Sequence, residues 1–261
     1  MRHKDRLKTV LVIAGFDPSN GAGATSDLKV IRDLGAHGVS VLTALTVQNT
    51  KGVYGVFPVK AGLVRSQLDA ILDDIPVDAV KIGMLGSRAV IDVVADVLSA
   101  RLAHTPVVLD PVLISSSGAD MAGRGGRTAI VKNLLPLSSL VTPNLDEASV
   151  LSGIEVTNIE DMKLAAAGIV GLGAKAALVK GGHLGSGATD VLFDGVNYAD
   201  FRGKRYPFDV HGTGCHLSAA IATHLAIGWD LKTAIRKSRR YLGRLFRDGV
   251  ITPGSGSPCF K

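Results

Sequence analysis

Short apolar runs alternate with amphipathic stretches along the whole chain, and this alternation constrains the fold more than any other feature. The strand-like runs are Val10–Ala14, Val39–Thr46, Ala79–Gly83, Val107–Asp110, Ser139–Thr142, Ala176–Lys180, Thr189–Asp194 and Tyr198–Arg202. The helix-like stretches are Asp27–Leu34, Leu63–Ile75, Ala89–Leu102, Asp161–Leu172 and Ser218–Ile227. Several runs are almost continuously apolar, which is typical of parallel strands covered on both faces. The pattern predicts an α/β fold with a doubly wound, mostly parallel sheet and helices on both faces.

Nothing in the chain marks a domain boundary. There is no linker, internal repeat or low-complexity tract, so the sequence predicts one domain over residues 1–261. We expect residues 1–8 to form a basic N-terminal tail and residues 252–261, rich in Gly, Ser and Pro, a mobile C-terminal tail. Residues 47–56 carry Asn-Thr-Lys-Gly near their centre, which predicts a small β flap at the end of a strand.

Composition narrows the class of protein. Of the 261 residues, 46% are hydrophobic and 20% charged, which is typical of a globular chain. The net charge of +6 favours anionic substrates, but no basic run is interleaved with aromatic residues, so we expect no nucleic-acid partner. No apolar run reaches the length of a membrane span. Two cysteines provide no disulfide framework, and a soluble cytoplasmic protein is expected.

The segment His211–Cys215 reads His-Gly-Thr-Gly-Cys and precedes a helix-like run. Two glycines around a threonine let backbone N–H groups converge at a helix N-terminus, which favours an anion. Cys215 falls in the first helical turn, where the helix dipole is expected to lower the thiol pKa. From this segment alone, an ordinary glycine-rich turn that caps a helix explains the residues as well as an anion site does.

Acidic and basic residues follow several strand-like runs. Asp110 ends one run, and Glu147 lies just after the next, at the start of a predicted helix. Two carboxylates at neighbouring strand ends can hold Mg²⁺ through water, although Glu147 also suits an ordinary first-turn position. Lys180 ends a further strand. The loop of residues 15–27 lacks the third glycine of the dinucleotide fingerprint, and the chain has no Walker lysine pattern, which disfavours dinucleotide and P-loop folds.

Together these segments resemble the ribokinase-like superfamily and, within it, the hydroxymethylpyrimidine/phosphomethylpyrimidine kinases of thiamine biosynthesis. The diagnostic pieces, in family order, are residues 42–50 (LTALTVQNT), 81–85 (KIGML), 141–144 (VTPN), 180–184 (KGGHL) and 211–215 (HGTGC). The resemblance implies an ATP-dependent, Mg²⁺-dependent kinase that phosphorylates 4-amino-5-hydroxymethyl-2-methylpyrimidine and then its monophosphate. It also suggests a homodimer.

On the substrate side, the resemblance implies that Gln48 hydrogen-bonds the aminopyrimidine edge through its amide. Asp27 and the backbone around Gly15 would orient the ring and its hydroxymethyl group. Met84 would pack against the ring.

On the phosphate side, the resemblance implies an anion hole for the transferring phosphoryl group, a base and a Mg–ATP site. The anion hole is Gly212, Thr213 and Gly214, and Cys215 takes the place of an aspartate base found elsewhere in the superfamily. The residues that would position Mg²⁺ and the ATP phosphates are Asp110, Asn144 and Glu147, with Lys180 nearby.

Two residues depart from the family pattern. Ser116 stands where a lysine is usual, which puts tight phosphate binding in question. His216 stands where a threonine is usual, and we expect its ring to face solvent. Two other functions stay open: a pyridoxal kinase of the same superfamily, and a non-catalytic ligand-binding protein on the same fold.

Overall fold

The computed structural model describes residues 6–114, 118, 120–182, 188–206 and 208–261. Ser116, His183 and the first five residues of the expected basic tail lie outside the described residues. In the described part of the tail, Arg6 and Lys8 both form ion pairs with Asp78, at 2.9 and 3.0 Å.

Nine strands of the described chain form one sheet in the order β3-β2-β1-β4-β5-β6-β7-β8-β9. The strands are β1 (Thr9–Phe16), β2 (His37–Asn49), β3 (Gly52–Pro58), β4 (Ala79–Ile82), β5 (Val107–Leu109), β6 (Leu140–Val141), β7 (Ala177–Val179), β8 (Ala188–Phe193) and β9 (Tyr198–Gly203). In the order in which they lie in the sheet, β2, β1, β4, β5, β6 and β7 pair in parallel with one another. Strands β3, β8 and β9 are antiparallel to their neighbours. The expected doubly wound, mostly parallel sheet is confirmed, as is the flap, which is the β2–β3 hairpin.

Helices cover both faces of the sheet. They are α1 (Gly23–Asp33), α2 (Ala61–Asp74), α3 (Arg88–Arg101), α4 (Gly126–Ala129), α5 (Leu145–Ser152), α6 (Ile159–Gly171), α7 (Thr213–Ile227) and α8 (Leu231–Asp248). Alternate residues of β1 serve two cores: Leu11 packs with α2, α3, α5 and α6, and Val12 packs with α1, α7 and α8. No helix in the described ranges is both long and apolar enough to cross a membrane.

The C-terminal segment differs from the expected mobile tail. Residues Val250–Ile251 (β10) pair with Cys259–Phe260 (β11), and both residues of β11 are buried. The Phe260 ring packs edge-on against Phe246 and His216. The intervening loop is tied to the flap, because the Ser257 N–H donates to the Thr50 carbonyl at 2.7 Å. Strand pairing, a buried aromatic ring and backbone hydrogen bonds thus hold a segment whose composition resembles that of a loop.

Candidate active site

Most of the predicted site residues converge where the parallel strands end, because the carboxyl ends of parallel strands lie at one edge of a sheet. Asp110 follows β5 and Lys180 follows β7. Lys180 Nζ donates to Asp110 Oδ1 at 2.9 Å, although the two residues are 70 positions apart in the chain. The N-terminus of α7 points at the same place: a Cβ at Gly214 would lie 2.9 Å from Lys180 Nζ.

The glycine segment before α7 has the conformation expected of an anion-binding loop. Gly212 is the N-cap of α7 with φ of 84°, and a side chain there would collide with the Gly21 carbonyl. The Thr213 hydroxyl donates to the Val210 carbonyl at 2.7 Å, which fixes the turn. Two glycine loops therefore pack against each other, and the N–H groups of the first helical turn face the strand ends.

Cys215 lies in the first turn of α7 as expected, but its thiol pKa is not lowered. Burial, reinforced by the carboxylates of Asp110 and Asp27, raises the pKa of Cys215 to about 12. The nearby Lys81 and a hydrogen bond from the Gly23 N–H oppose this rise without reversing it. The expectation of a thiol poised toward thiolate is wrong, because desolvation outweighs the helix dipole here.

Asp110, Lys180 and Glu147 form a buried charged cluster. Although burial raises the pKa of Asp110, Lys180 and Lys81 together hold it below its ordinary value. Burial raises the pKa of Glu147 to about 7 despite the neighbouring Lys180. Burial alone would lower the pKa of Lys180, but Asp110 and Glu147 keep it above its ordinary value. The cluster holds at most two negative charges and one positive charge, and Glu147 titrates near neutral pH.

Asn144 and Glu147 also form the N-terminal cap of α5. The Asn144 side chain accepts from the Glu147 N–H at 2.8 Å, and Glu147 Oε2 accepts from the Asn144 N–H at 2.9 Å. This is a complete capping box, so the ordinary structural role considered for Glu147 is fulfilled. The box also orients the Glu147 carboxylate beside Lys180.

Asp27 lies in the interior, paired with a lysine that the sequence analysis did not assign to the site. Lys81 Nζ donates to Asp27 Oδ2 at 2.6 Å, and neither side chain is exposed to solvent. Burial raises the pKa of Asp27 to about 6, and the adjacent carboxylate keeps the pKa of Lys81 above its ordinary value. Both groups are thus charged at neutral pH, and Asp27 is not exposed to the cleft. The signal for this buried ion pair in the sequence was the lysine within the otherwise apolar strand β4, because a buried charge needs a partner.

The residues expected on the substrate side surround the start of the first glycine loop. A side chain at Gly15 would collide with the end of the Met84 side chain, so these two residues are in close contact. Met84 is 7% exposed and packs with Ala44 and Met121. Gln48 lies at the end of β2, on the flap, and lines a cavity of 390 Å³ together with Pro18, Ser19 and residues of the C-terminal loop.

Asp17 and His211 join the two glycine loops to the flap, and sequence reasoning assigned a role to neither. His211 Nε2 lies 2.9 Å from Asp17 Oδ2 and 3.0 Å from the Gln48 side-chain amide nitrogen. Although burial acts in the opposite direction, hydrogen bonds from His211 and Ser19 lower the pKa of Asp17. His211 belongs to a segment that carries the resemblance and Asp17 to the loop of residues 15–27, but only the fold brings them together.

His216 is buried, so the expectation that it faces solvent is wrong. Its Nδ1 lies 2.8 Å from the Gly212 carbonyl oxygen. Burial lowers the pKa of His216 to about 4, so the ring is neutral near pH 7 and Nδ1–H donates to that carbonyl. Phe260 covers the other side of the ring. His216 therefore stabilises the glycine loop from its buried side, through the hydrogen bond to the Gly212 carbonyl.

Sequence comparisons place this site among known proteins. A family model described as phosphomethylpyrimidine kinase matches residues 17–258. The thiamine biosynthesis bifunctional protein ThiED of Geobacter sulfurreducens is 44% identical over 241 residues, which is 92% of this chain and 49% of that protein. The chain thus spans about half the length of that relative. The hydroxymethylpyrimidine/phosphomethylpyrimidine kinase of Streptomyces coelicolor is 41% identical over 94% of this chain and 89% of its own length.

Solved structures show the same fold. A phosphomethylpyrimidine kinase from Clostridium difficile superposes with a TM-score of 0.82 and 37% identity, over 92% of this chain and 99% of that one. An ADP complex of Bacillus subtilis pyridoxal kinase gives a TM-score of 0.88 and 33% identity, over 98% and 97%. With a family model spanning residues 17–258 and relatives above 40% identity over most of its length, the chain belongs to the phosphomethylpyrimidine kinase family.

Proposed function

We propose that this protein is an ATP-dependent kinase that phosphorylates 4-amino-5-hydroxymethyl-2-methylpyrimidine and then its monophosphate to the diphosphate. The observation that carries the proposal is the convergence of the α7 N-terminus, Lys180 and Asp110 at one edge of the sheet. That edge also carries Gln48 and Met84. The names of the kinase relatives give the substrate class.

Phosphoryl transfer needs positioned positive charge more than covalent chemistry, because the transition state is loose and its charge is spread over the phosphoryl oxygens. Gly212, Thr213 and Gly214 would supply backbone N–H groups and the positive end of the α7 dipole. Lys180, held beside Gly214 by Asp110, would supply a full positive charge. ATP would therefore place its terminal phosphate between these groups, and complexes of related kinases with ADP and AMP-PCP support a nucleotide at this fold's site.

Mg²⁺ fits the donor set at the strand ends. The carboxylates of Asp110 and Glu147 are oxygen ligands of the kind that Mg²⁺ prefers, and both are partly used by protein donors. We propose that they hold the ion through water, together with the ATP phosphates, near Asn144. Bound Mg²⁺ would neutralise phosphate charge during transfer.

On the acceptor side, Gln48 would pair with the ring nitrogen and amino group of the pyrimidine, and Met84 would pack on the ring. The absence of a side chain at Gly15 makes room for the end of the Met84 side chain, and the backbone around Gly15 would help to orient the ring. The buried Asp27 would orient the substrate only indirectly, through its ion pair with Lys81. We place Cys215 next to the acceptor hydroxymethyl group; since its thiol is protonated at neutral pH, it can serve as a base only if substrate binding lowers its pKa.

Pyridoxal kinase is the second candidate. The Bacillus subtilis pyridoxal kinase superposes more fully than the phosphomethylpyrimidine kinase structure, with TM-scores of 0.88 and 0.82, but its sequence identity is lower. Both substrates present a hydroxymethyl group on a six-membered heterocycle. A non-catalytic binding role is disfavoured because Asp110, Glu147 and Cys215 are all present.

We further propose that the protein is a cytoplasmic homodimer. The outer face of the flap carries four exposed apolar side chains, and Leu45 and Phe57 are direct cross-strand partners on it. The four are Leu45, Val47, Tyr54 and Phe57, which are 49–64% exposed. An apolar sheet face of this kind is typical of a subunit interface. A cytoplasmic location agrees with the two free cysteines and the need for ATP.

The first prediction concerns the reaction. Incubation with Mg–ATP and the hydroxymethylpyrimidine should yield the monophosphate and then the diphosphate, followed by mass spectrometry. A monophosphate alone would indicate that the serine at position 116 weakens binding of the phosphorylated acceptor. Phosphorylation of pyridoxal but not of the pyrimidine would replace the main proposal by the second candidate.

The second prediction ranks the catalytic groups. The Gly214→Ala substitution should lower kcat by about 10²–10³-fold, because the added methyl group meets Lys180 Nζ at 2.9 Å and displaces it from the phosphate. Cys215→Ser should lower kcat roughly tenfold or less, because a protonated thiol supplies no ready base. Thermal unfolding of both variants checks that the fold is retained. A 100-fold loss in Cys215→Ser would instead assign the base to Cys215.

The third prediction concerns pH. The pKa of Glu147 rises from 4.5 unfolded to about 7 folded, so its contribution to stability is complete below pH 4.5 and is lost as the pH rises through 7. The difference in unfolding free energy between wild type and Glu147→Gln, measured by urea titration without Mg²⁺, should therefore change by about 3 kcal/mol over this range. A pH-independent difference would show that Glu147 has an ordinary pKa.

The fourth prediction concerns assembly. Val47→Glu places a charge in the centre of the apolar flap face and should shift sedimentation from dimer to monomer. Val196→Glu, at an 81% exposed position away from the flap, is the matched control and should remain dimeric. A wild-type protein that sediments as a monomer at micromolar concentration would contradict the proposal.

A further inference from the structure

A polar chain of side chains from Asp17 through His211 to Gln48 links the loop before α7 to the flap, and the proposed chemistry uses only its last member, Gln48. Its three members lie on three different segments: the loop after β1, the loop before α7, and the end of β2. The Asp17 carboxylate is 4% exposed, and the other two side chains are half-buried. The polar chain therefore connects Gln48, the glutamine proposed to read the substrate, to a carboxylate in the protein interior.

Asp17 is held rigidly and dictates the protonation of His211. Its Oδ1 accepts from the N–H and the hydroxyl of Ser19, at 2.8 and 2.7 Å, and its Oδ2 accepts from the Ala22 N–H at 3.0 Å. A carboxylate can only accept hydrogen bonds, so the 2.9 Å contact requires that His211 carry a proton on Nε2. The tautomer of the histidine is thus fixed by a side chain that does not itself face the substrate.

The protonated Nε2 in turn selects one orientation of the Gln48 amide. An amide nitrogen opposite Nε2–H would bring two donors together at 3.0 Å, which is unfavourable. Rotation of the amide by about 180° exchanges its nitrogen and oxygen without a change in shape and places the oxygen opposite Nε2–H. The single Nε2 proton is then shared between Asp17 Oδ2 and the Gln48 amide oxygen as a three-centre hydrogen bond. Thr46 favours the same orientation: its hydroxyl donates to the Phe16 carbonyl at 3.0 Å and is left as an acceptor for the amide nitrogen, 3.2 Å away at the exchanged position.

We propose that Asp17 and His211 are positioning residues that fix the orientation of the Gln48 amide and thereby set which heterocycle the flap accepts. With both neighbours satisfied, the amide presents one N–H and one oxygen lone pair in a fixed order. This order matches a ring nitrogen next to an exocyclic amino group, as in an aminopyrimidine. A pyridine that carries an aldehyde in place of the amino group presents an acceptor at that position instead of a donor. The inference rests on the proposed function, because it names the device that selects its substrate.

The experiment is a double-mutant cycle on ligand binding, measured by calorimetry on the full chain with the hydroxymethylpyrimidine and with pyridoxal. Asp17→Asn keeps the volume but removes the charge that fixes the histidine proton. It should weaken pyrimidine binding about tenfold and pyridoxal binding less than twofold. In a Gln48→Met background, the same Asp17→Asn change should alter pyrimidine binding less than twofold, because its effect passes through the amide.

Two further variants keep the test decisive. Ser19→Ala removes one of the hydrogen bonds that hold Asp17 and should give a smaller loss in the same direction, so it replaces Asp17→Asn if that variant does not fold. Asp73→Asn removes a carboxylate that is 70% exposed on α2, and it should leave both affinities unchanged. The KM for Mg–ATP should be unchanged in Asp17→Asn, which separates positioning of the acceptor from damage to the phosphate loop.

Equal losses for both heterocycles, or a full effect of Asp17→Asn in the Gln48→Met background, would overturn the inference. Failure of the proposed function gives a different result: wild-type protein would neither bind nor phosphorylate the pyrimidine. If pyridoxal is then the substrate, the same cycle measured with pyridoxal still decides whether Asp17 acts through Gln48.

Discussion

Charge buried at the carboxyl edge of the sheet must be neutralised within the protein, and this requirement organises the site. Lys81 and Asp27 are fully buried and neutralise each other at 2.6 Å. Lys180 and Asp110 repeat the arrangement one layer nearer the cleft. A single charge in either position would carry a large desolvation cost, so each pair fixes the position of both partners. Asp110 thereby holds Lys180 beside the N-terminus of α7, where two positive groups lie close together and favour an anionic ligand.

The same buried charges explain why the thiol beside them has a raised pKa. The α7 dipole and Lys81 favour the thiolate form of Cys215. Burial and the carboxylates of Asp110 and Asp27 favour the neutral thiol more strongly. An incoming Mg–ATP complex would add positive and negative charge to this cluster at once. The resting electrostatics thus describe a site that is set for a charged ligand rather than one with a preformed nucleophile.

Packing around the glycine loop comes from distant parts of the chain. His216 donates to the Gly212 carbonyl from below, and Phe260 covers His216. The C-terminal loop also reaches the turn of the flap, through Ser257 and Thr50. The flap that holds Gln48 and the loop that would bind phosphate therefore both contact the C-terminal segment.

Sequence alone determined the sheet, the flap, the position of the glycine loop before α7 and the set of residues at the strand ends, because hydrophobic periodicity and glycine placement are local properties of the chain. It also determined the family, through motifs in a fixed order. Only the tertiary structure decided the burial of His216, the raised pKa of Cys215, the Lys81–Asp27 pair and the fixed C-terminal segment. Each of these depends on contacts between residues far apart in sequence, and burial and charge environment have no local signature.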